Sequence, residues 1–367
     1  MVTARAKITL YKINAIPMTK NINSLTNSPI DLVYLWVDGS DINWQKKKNA
    51  ALEKYGKNLP ISSVRSTRWA NHNELIYSLR SVEKFAPWIN HIYIVTDNHN
   101  PEWLNTDNPK VSIVDHKKII PTEKLPLFNS NAIEMFLWKI PNLSEHFLYA
   151  CDDMFFGKEV KPDFFFDESG NPIVIMKQRS RSFSNLNDKS EVNRRLFSIK
   201  TARTIKFVYK QLGIKYNLSF KHAIEPIRKS YMANNFNTLE QHLMQTTITP
   251  FRHVNNLQRI IMPLYDNAYE RNTIVLNWRT GSKRIVYDYR KDSSLKRMWC
   301  SVLWLTASVF KFIQYDCIDK QMGLISNIRK HQPALFTIND FSDKESAFKQ
   351  ASEFIKSIFP TKSAFEK

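Results

Sequence analysis

Four apolar runs in this 367-residue sequence end on aspartate. Leu32-Val33-Tyr34-Leu35-Trp36-Val37 precedes Asp38, Ile92-Tyr93-Ile94-Val95-Thr96 precedes Asp97, and Val111-Ser112-Ile113-Val114 precedes Asp115. The fourth, Phe147-Leu148-Tyr149-Ala150-Cys151, is followed by a pair of acids, Asp152-Asp153. Short apolar runs of this kind read as buried strands of a parallel sheet. Open α/β sheets gather their ligands at the carboxyl ends of such strands. Carboxylates collected on one edge repel each other unless a cation holds them or their loops carry them apart. In a sequence of formal net charge +19, that edge is a candidate divalent-metal site, with Asp152 and Asp153 as adjacent ligands for Mg2+ or Mn2+. An N-cap plus a loop salt bridge is the plainer alternative.

Other residues could do chemistry beside it. Asp38-Gly39-Ser40-Asp41 follows the first run; Gly39 permits a tight turn that could set a nucleotide against the backbone, and an Asx turn accounts for it as well. His222, in Lys221-His222-Ala223-Ile224-Glu225-Pro226-Ile227-Arg228, could take a proton from an attacking hydroxyl near neutral pH, although a lone histidine is more often structural. Arg252, in Pro250-Phe251-Arg252-His253, offers a fork of donors to a phosphate, or to a surface salt bridge. Asn339-Asp340 repeat the strand-then-acid grammar after Leu335-Phe336-Thr337-Ile338, where a simple turn is the alternative. The seven glycines stand too far apart for any glycine-rich phosphate loop. Phosphate here would be held by Arg, Lys, a metal or helix N-termini.

The elements that must position these residues alternate. After an irregular arm at residues 1–29, residues 30–177 read as strand 31–37, helices near 42–55 and 73–86, strands 91–96 and 111–115, a helix near 131–140, and strands 146–151 and 173–177. That alternation predicts an α/β fold, a mostly parallel Rossmann-like sheet flanked by helices. Asn73-Glu74 opens the second helix and Pro87 stops it; Asn131 opens the next and Pro141 ends it. Residues 178–213 are rich in Arg, Lys, Ser and Asn and become helical from Glu191 to Leu212. Polar loops follow to residue 262. Residues 283–330 begin strongly basic and turn aromatic, and Glu345 to Phe359 is an amphipathic helix closed by Pro360, which makes the C-terminal region basic and helical.

Hydrophobic content of 43% and charged content of 24% are ordinary globular values and argue against wholesale disorder. Cys151, Cys300 and Cys317 form no C-x-x-C pair, so a disulfide scaffold and a structural zinc are not expected and a reducing cytoplasm is. Residues 1–29 lack the apolar core of a secretory signal. The longest apolar stretch, Met298 to Phe312, falls short of the roughly 20 residues a spanning helix needs. The basic charge admits a phosphorylated or glycan substrate, an anionic membrane surface, or nucleic acid, of which the last is disfavoured because no binding motif is present and the cations are dispersed. Basic residues followed by aromatics at 283–312 suit peripheral contact with an anionic membrane, for instance beside export machinery on its inner face, and burial of the aromatic side in the core is equally compatible.

The pieces also stand in a recognisable order. Ile30 to Asp41, with Val37-Asp38-Gly39-Ser40-Asp41 at its end, resembles the first conserved block of the Stealth family of sugar-phosphate transferases. Asn73-Glu74-Leu75, Ser81-Val82-Glu83-Lys84, Thr96-Asp97-Asn98, Phe128-Asn129-Ser130-Asn131-Ala132-Ile133-Glu134 and Cys151-Asp152-Asp153-Met154-Phe155-Phe156-Gly157 resemble the second. His222 to Ser230 with Phe251-Arg252 is similar to the third; Phe336-Thr337-Ile338-Asn339-Asp340 and Phe359-Pro360-Thr361-Lys362-Ser363-Ala364-Phe365-Glu366 are similar to the fourth. The family includes bacterial capsule polymerases and the animal enzyme that tags lysosomal glycoproteins with N-acetylglucosamine phosphate; this sequence looks like the bacterial capsular type. It departs at Cys151, where the family usually has Asn, and a thiol is a weak substitute for an amide as donor or acceptor.

The resemblance implies one catalytic domain over 30–367: an α/β core at 30–177, a donor and acceptor region at 178–282, a basic-aromatic insertion at 283–330 and a closing block at 331–367. It implies transfer of a hexose 1-phosphate from a nucleotide-activated sugar, of the UDP-hexose type, to a hydroxyl of a growing glycan, with release of a nucleoside monophosphate. By the same resemblance Asp152 and Asp153 bind Mg2+ or Mn2+, Asp38 contacts the nucleotide or the metal, His222 is the general base, and Arg252 clamps the transferred phosphate. Asn131, Asn339 and Asp340 complete the donor pocket. The rivals are a metal-dependent glycosyltransferase releasing a nucleoside diphosphate, and a non-catalytic glycan- or membrane-binding module.

Overall fold

The structure is a computed structural model that describes residues 28–65, 68–178, 189–213, 218–220, 222–259, 261–262, 274–277, 283–285, 312–315, 328, 332–338 and 345–367. In chain order its strands are β1 (Ile30–Leu35), β2 (Ile92–Thr96), β3 (Val111–Asp115), β4 (His146–Cys151), β5 (Met154–Phe156), β6 (Ile173–Gln178), β7 (Leu218–Phe220), β8 (Glu225–Arg228), β9 (Ile274–Asn277), β10 (Lys283–Ile285), β11 (Phe312–Tyr315) and β12 (Leu335–Ile338). The helices are α1 (Ile42–Tyr55), α2 (Glu74–Phe85), α3 (Ser130–Ile133), α4 (Lys189–Leu212), α5 (Lys229–Met244) and α6 (Glu345–Ile358).

The main sheet has the order β3-β2-β1-β4-β8, parallel except for β8. Its strands read as unbroken apolar runs because both faces are covered. Val33, Tyr93, Val95, Phe147 and Tyr149 point to one side, under Phe136 and Leu137 and the α5 residues Met232 and Phe236. Their alternates Leu32, Tyr34, Ile94, Leu148 and Ala150 point to the other, under Leu75, Leu79 and Val82 of α2. Two smaller sheets, β10-β9-β6-β7 and β11-β12-β5, extend the molecule. The expected α/β architecture with a mostly parallel sheet is thus present.

Three local features differ from the sequence reading. The helix foreseen near 131–140 is a single α turn, Ser130–Ile133, followed by a tighter 3-10 segment, Glu134–Lys139. Asn129, not Asn131, caps it, accepting from the Asn131 N–H at 3.2 Å; Ile140 is extended, as the residue before Pro141 must be. Asn73 precedes α2 in the left-handed region (φ 65°) without capping it, and Glu74 instead accepts from the His72 N–H at 2.8 Å. Residues 225–228, read as loop, form the sheet's edge strand, where Pro226 is tolerated. The basic-aromatic stretch 283–312 lies outside the described residues except for the backbone of β10 and Phe312. No helix among the described residues is long and apolar enough to cross a membrane.

After β4 the chain does not continue in the main sheet. It turns at Asp152-Asp153 and leaves as β5, which pairs antiparallel with β12. Two fully buried serines of α2 fasten this exit. Ser78 Oγ donates to the Met154 carbonyl (2.5 Å), so the Tyr34 hydroxyl at 2.6 Å is the donor to Ser78. Ser81 Oγ accepts from the Phe156 N–H at 3.1 Å. Gly157 closes the strand, where a Cβ would stand 2.3 Å from the Pro333 carbonyl oxygen. The C-terminal residues strap the far side of α2: Arg80 forks onto Glu366 at 2.9 and 2.7 Å and also reaches the Phe359 carbonyl. A Ser78→Ala substitution leaves two buried polar groups, the Tyr34 hydroxyl and the Met154 carbonyl, without this partner. The expected loss is about 1–3 kcal/mol of stability, read as a lower denaturant midpoint with an unchanged slope.

Candidate functional site

The parallel pairing of β1 with β4 puts Leu35 level with Cys151, so the segment Trp36-Val37-Asp38 and the turn Asp152-Asp153 leave the sheet side by side. The four strand-end acids do share one edge, but they face different partners. Asp97 is ion-paired with Lys47 of α1 at 2.8 Å. Asp115 accepts from the Lys117 N–H at 2.7 Å and caps a 3-10 turn. Asp38 closes an Asx turn, accepting from the N–H (2.9 Å) and hydroxyl (2.6 Å) of Ser40, while its own N–H donates to His99 Nδ1 at 3.0 Å. Gly39 is required there, because a Cβ would lie 1.8 Å from the Trp69 carbonyl oxygen.

Asp152 and Asp153 are held differently. Burial raises the Asp152 carboxyl well above its ordinary value, and the neighbouring carboxylates of Glu74 and Asp153 raise it further. Glu74 is itself raised by burial. Asp153 faces His222: the ring Nε2 lies 3.2 and 3.1 Å from the two carboxylate oxygens, across 69 residues of sequence. Strand β12 fixes both ends of this pair, since the Ile338 N–H donates to the Asp153 carbonyl (3.0 Å) and the Thr337 hydroxyl to the His222 carbonyl (2.6 Å).

The Cys151 thiol, an Asp153 carboxylate oxygen and a His222 ring nitrogen lie within 4.8 Å of one another. Oxygen and imidazole donors in this number suit a divalent ion, and the crowding of Asp152 by Glu74 and Asp153 is the condition a cation relieves. Cys151 suits a hard ion least, because burial, with Asp153 and Glu134 beside it, holds its thiol protonated far above the ordinary range. The carboxylate oxygens of Asp152 and Asp153 are therefore the donors that would hold a divalent cation.

A second group of side chains gathers around α3. The Phe128 N–H donates to the Pro250 carbonyl at 2.8 Å and the rings of Phe128 and Phe251 stack at 5.1 Å, with Trp44 and Trp69 packed edge-on around them. This aromatic box brings Arg252 to Ser130, whose hydroxyl accepts at 2.8 Å. Asn131 accepts from the buried Lys200 of α4. Behind them Arg259, 6% exposed, is buried with Glu225 and Glu134 and lies 4.7 Å over the Tyr149 ring. Burial alone would lower Arg259, but the two carboxylates outweigh it and hold its pKa above the ordinary range. Asn339 and Asp340 lie outside the described residues.

The family model for Stealth protein CR1, conserved region 1, matches residues 28–56, and that for Stealth protein CR2, conserved region 2, matches residues 68–174. The chain thus carries matches to two conserved regions of the Stealth family. Among its relatives are the capsular polysaccharide phosphotransferase cps1A of Actinobacillus pleuropneumoniae, 34% identical over 236 residues, and fcs1 of Haemophilus influenzae, 37% identical over 239 residues; each alignment covers 64% of both chains. The exopolysaccharide phosphotransferase cps2G of Lactiplantibacillus plantarum is 46% identical over 143 residues, 39% of this chain and 41% of that one. The chain thus spans less than two thirds of the length of these relatives. Among solved structures, the galactosyltransferase LgtC in complex with donor and acceptor sugar analogs overlaps 91% of this chain and 97% of its own at 10% identity and a TM-score of 0.43, a likeness too loose to carry an argument.

The two Stealth regions contain Asp38, Asn131, Asp152 and Asp153, while His222 and Arg252 follow them in sequence. Sequence reasoning named Glu74 only as a helix opener. Its signal was an acid at the first helical position directly after an asparagine, in a block facing the paired aspartates. Lys200 was missed outright, being one lysine among many on a polar helix. Because Asp152 is raised in the folded chain, the stability it allows is complete below its ordinary value of 3.8 and is lost as pH rises through the raised one. An Asp152→Asn protein stripped of divalent ions is therefore expected to melt higher than wild type at neutral pH. The difference should shrink as pH falls toward 3.8, which thermal melts across pH will read.

Proposed function

We propose that this chain transfers a hexose 1-phosphate from a nucleotide-activated sugar to a hydroxyl of a growing capsular or cell-surface glycan. The observation that carries the reading is the His222–Asp153 pair, 3.1 Å apart at the carboxyl edge of the sheet, a base held by a carboxylate beside two further acids. The phosphotransferase names of the aligned relatives support it.

In this reading the acceptor hydroxyl attacks the phosphorus nearer the sugar and gives its proton to the His222 imidazole. Asp153 fixes the orientation of that ring and stabilises its protonated form, the role a carboxylate plays behind a catalytic histidine. The bridging P–O bond breaks, its electron pair leaves with the nucleoside monophosphate, and a phosphodiester remains. The C1–O bond of the sugar is untouched, so its anomeric configuration is kept. Arg252 lends its fork to the phosphoryl oxygens as charge builds on them. Asp38, on the neighbouring strand end, meets the nucleotide, and Asn131 lines the donor pocket with Asn339 and Asp340. When bound at Asp152 and Asp153, a Mg2+ or Mn2+ ion would neutralise diphosphate charge.

The decisive experiment supplies nucleotide sugars and a glycan acceptor and analyses products by phosphorus NMR. A nucleoside monophosphate and a phosphodiester signal are expected; a nucleoside diphosphate and a plain glycosidic bond would replace this reading with a glycosyltransferase. Removing the general base by His222→Ala should slow turnover about 10²–10⁴-fold without lowering the melting temperature by more than a surface change does.

A further inference from the structure

Helix α4 carries one lysine into the interior. Lys200 is 2% exposed, and its ammonium donates to Oδ1 of Asn131. One residue earlier in the chain, the Ser130 hydroxyl accepts from Arg252. Arg68 approaches from the loop ahead of α2, anchored by its Nε on the Ser62 carbonyl. None of these three cations forms an ion pair with a carboxylate among the described residues. They press on one another instead. Burial, then Arg252 and Arg68, drive Lys200 well below the ordinary lysine value; burial, then Arg252 and Arg65, pull Arg68 down to about 9. Glu134 acts on Lys200 in the opposite sense, but its carboxylate already accepts from Tyr149 at 3.0 Å and faces Arg259 at 3.4 Å.

Keeping like charges together away from water is unfavourable unless a counter-charge arrives. Among the described residues no carboxylate is ion-paired with these groups, and two of them are held by neutral acceptors, an amide and a hydroxyl, that set their direction without cancelling their charge. We propose that Lys200, Arg68 and Arg252, with Ser130 and Asn131 between them, form the seat of a diphosphate anion, the diphosphate of the nucleotide-activated donor. Two guanidinium forks suit the paired non-bridging oxygens, and the ammonium serves as a point charge. Such a seat takes the place of the glycine-rich cradle that the seven dispersed glycines rule out. Only the identity of the anion rests on the proposed transfer reaction; the existence of the seat rests on the cluster.

The test uses the whole chain and inorganic pyrophosphate. Wild type should melt higher as pyrophosphate is added. A Lys200→Met protein should melt at or above wild type without the anion, since a buried charge and its repulsions are gone. Its pyrophosphate affinity by calorimetry should fall roughly ten- to a hundredfold, the scale of one charge-assisted hydrogen bond. A lower melting temperature with unchanged pyrophosphate affinity would make Lys200 a structural donor to Asn131 and overturn the proposal. Should that variant not fold, hydrogen exchange on wild type decides: pyrophosphate should protect residues 128–133 and 196–204, and absence of protection in both overturns it. Pyrophosphate bound at this seat by an enzyme that releases a nucleoside diphosphate would sink the transfer reaction and leave the seat standing, so the two failures are separable.

Discussion

The turn between β4 and β5 is the constraint on which the rest of the site depends. A strand that simply ran on would bury Asp152 and Asp153 along the sheet or expose them on a loose loop. Instead the chain swings out of the main sheet and is caught within three residues. From one side Ser78 and Ser81 bind the Met154 carbonyl and the Phe156 amide. From the other β12 pairs with β5 and takes the Asp153 carbonyl. Because the same strand also holds His222 through Thr337, acid and imidazole are registered against a common backbone as well as against each other. Buried hydrogen bonds of this kind are costly to leave unmade, which makes the turn stiff enough to hold a crowded carboxylate.

Charge is distributed around that turn in a way that the net value of +19 conceals. Glu74, Asp152 and Asp153 crowd each other at the turn, and Lys200, Arg68 and Arg252 crowd each other around Ser130 and Asn131. Glu134 belongs to both neighbourhoods, raising the Cys151 thiol and also acting on Lys200. Each cluster alone opposes folding; a metal ion on the first and a phosphate on the second would relieve both. With the proposed ligands, a site of this construction would be more stable loaded than empty.

Much of this was legible before any coordinates. The four strands ending on acids were readable because a strand covered on both faces must be apolar throughout, and their common edge follows from parallel pairing. The partners were not. Asp97 looks like Asp152 in sequence, and only the fold reveals Lys47 beside it, 50 residues away. β8 was hidden by Pro226, acceptable at an edge and misleading as a sequence signal. A full helix over 131–140 does not form, because apolar periodicity does not distinguish one from a single α turn and a 3-10 segment. Lys200 had no signal at all, since burial of one lysine among several is a property of packing.

The strap that Arg80 and the closing residues lay across α2 has a consequence in time as well as in space. The contacts that hold the β4–β5 turn come from residue 78 on one side and residues 337 and 338 on the other. A ribosome-bound chain that has made Asp153 and His222 still lacks the strand that takes both of their carbonyls. The Asp153–His222 pair therefore gains its full backbone support only once residues 337 and 338, near the end of the sequence, have been made.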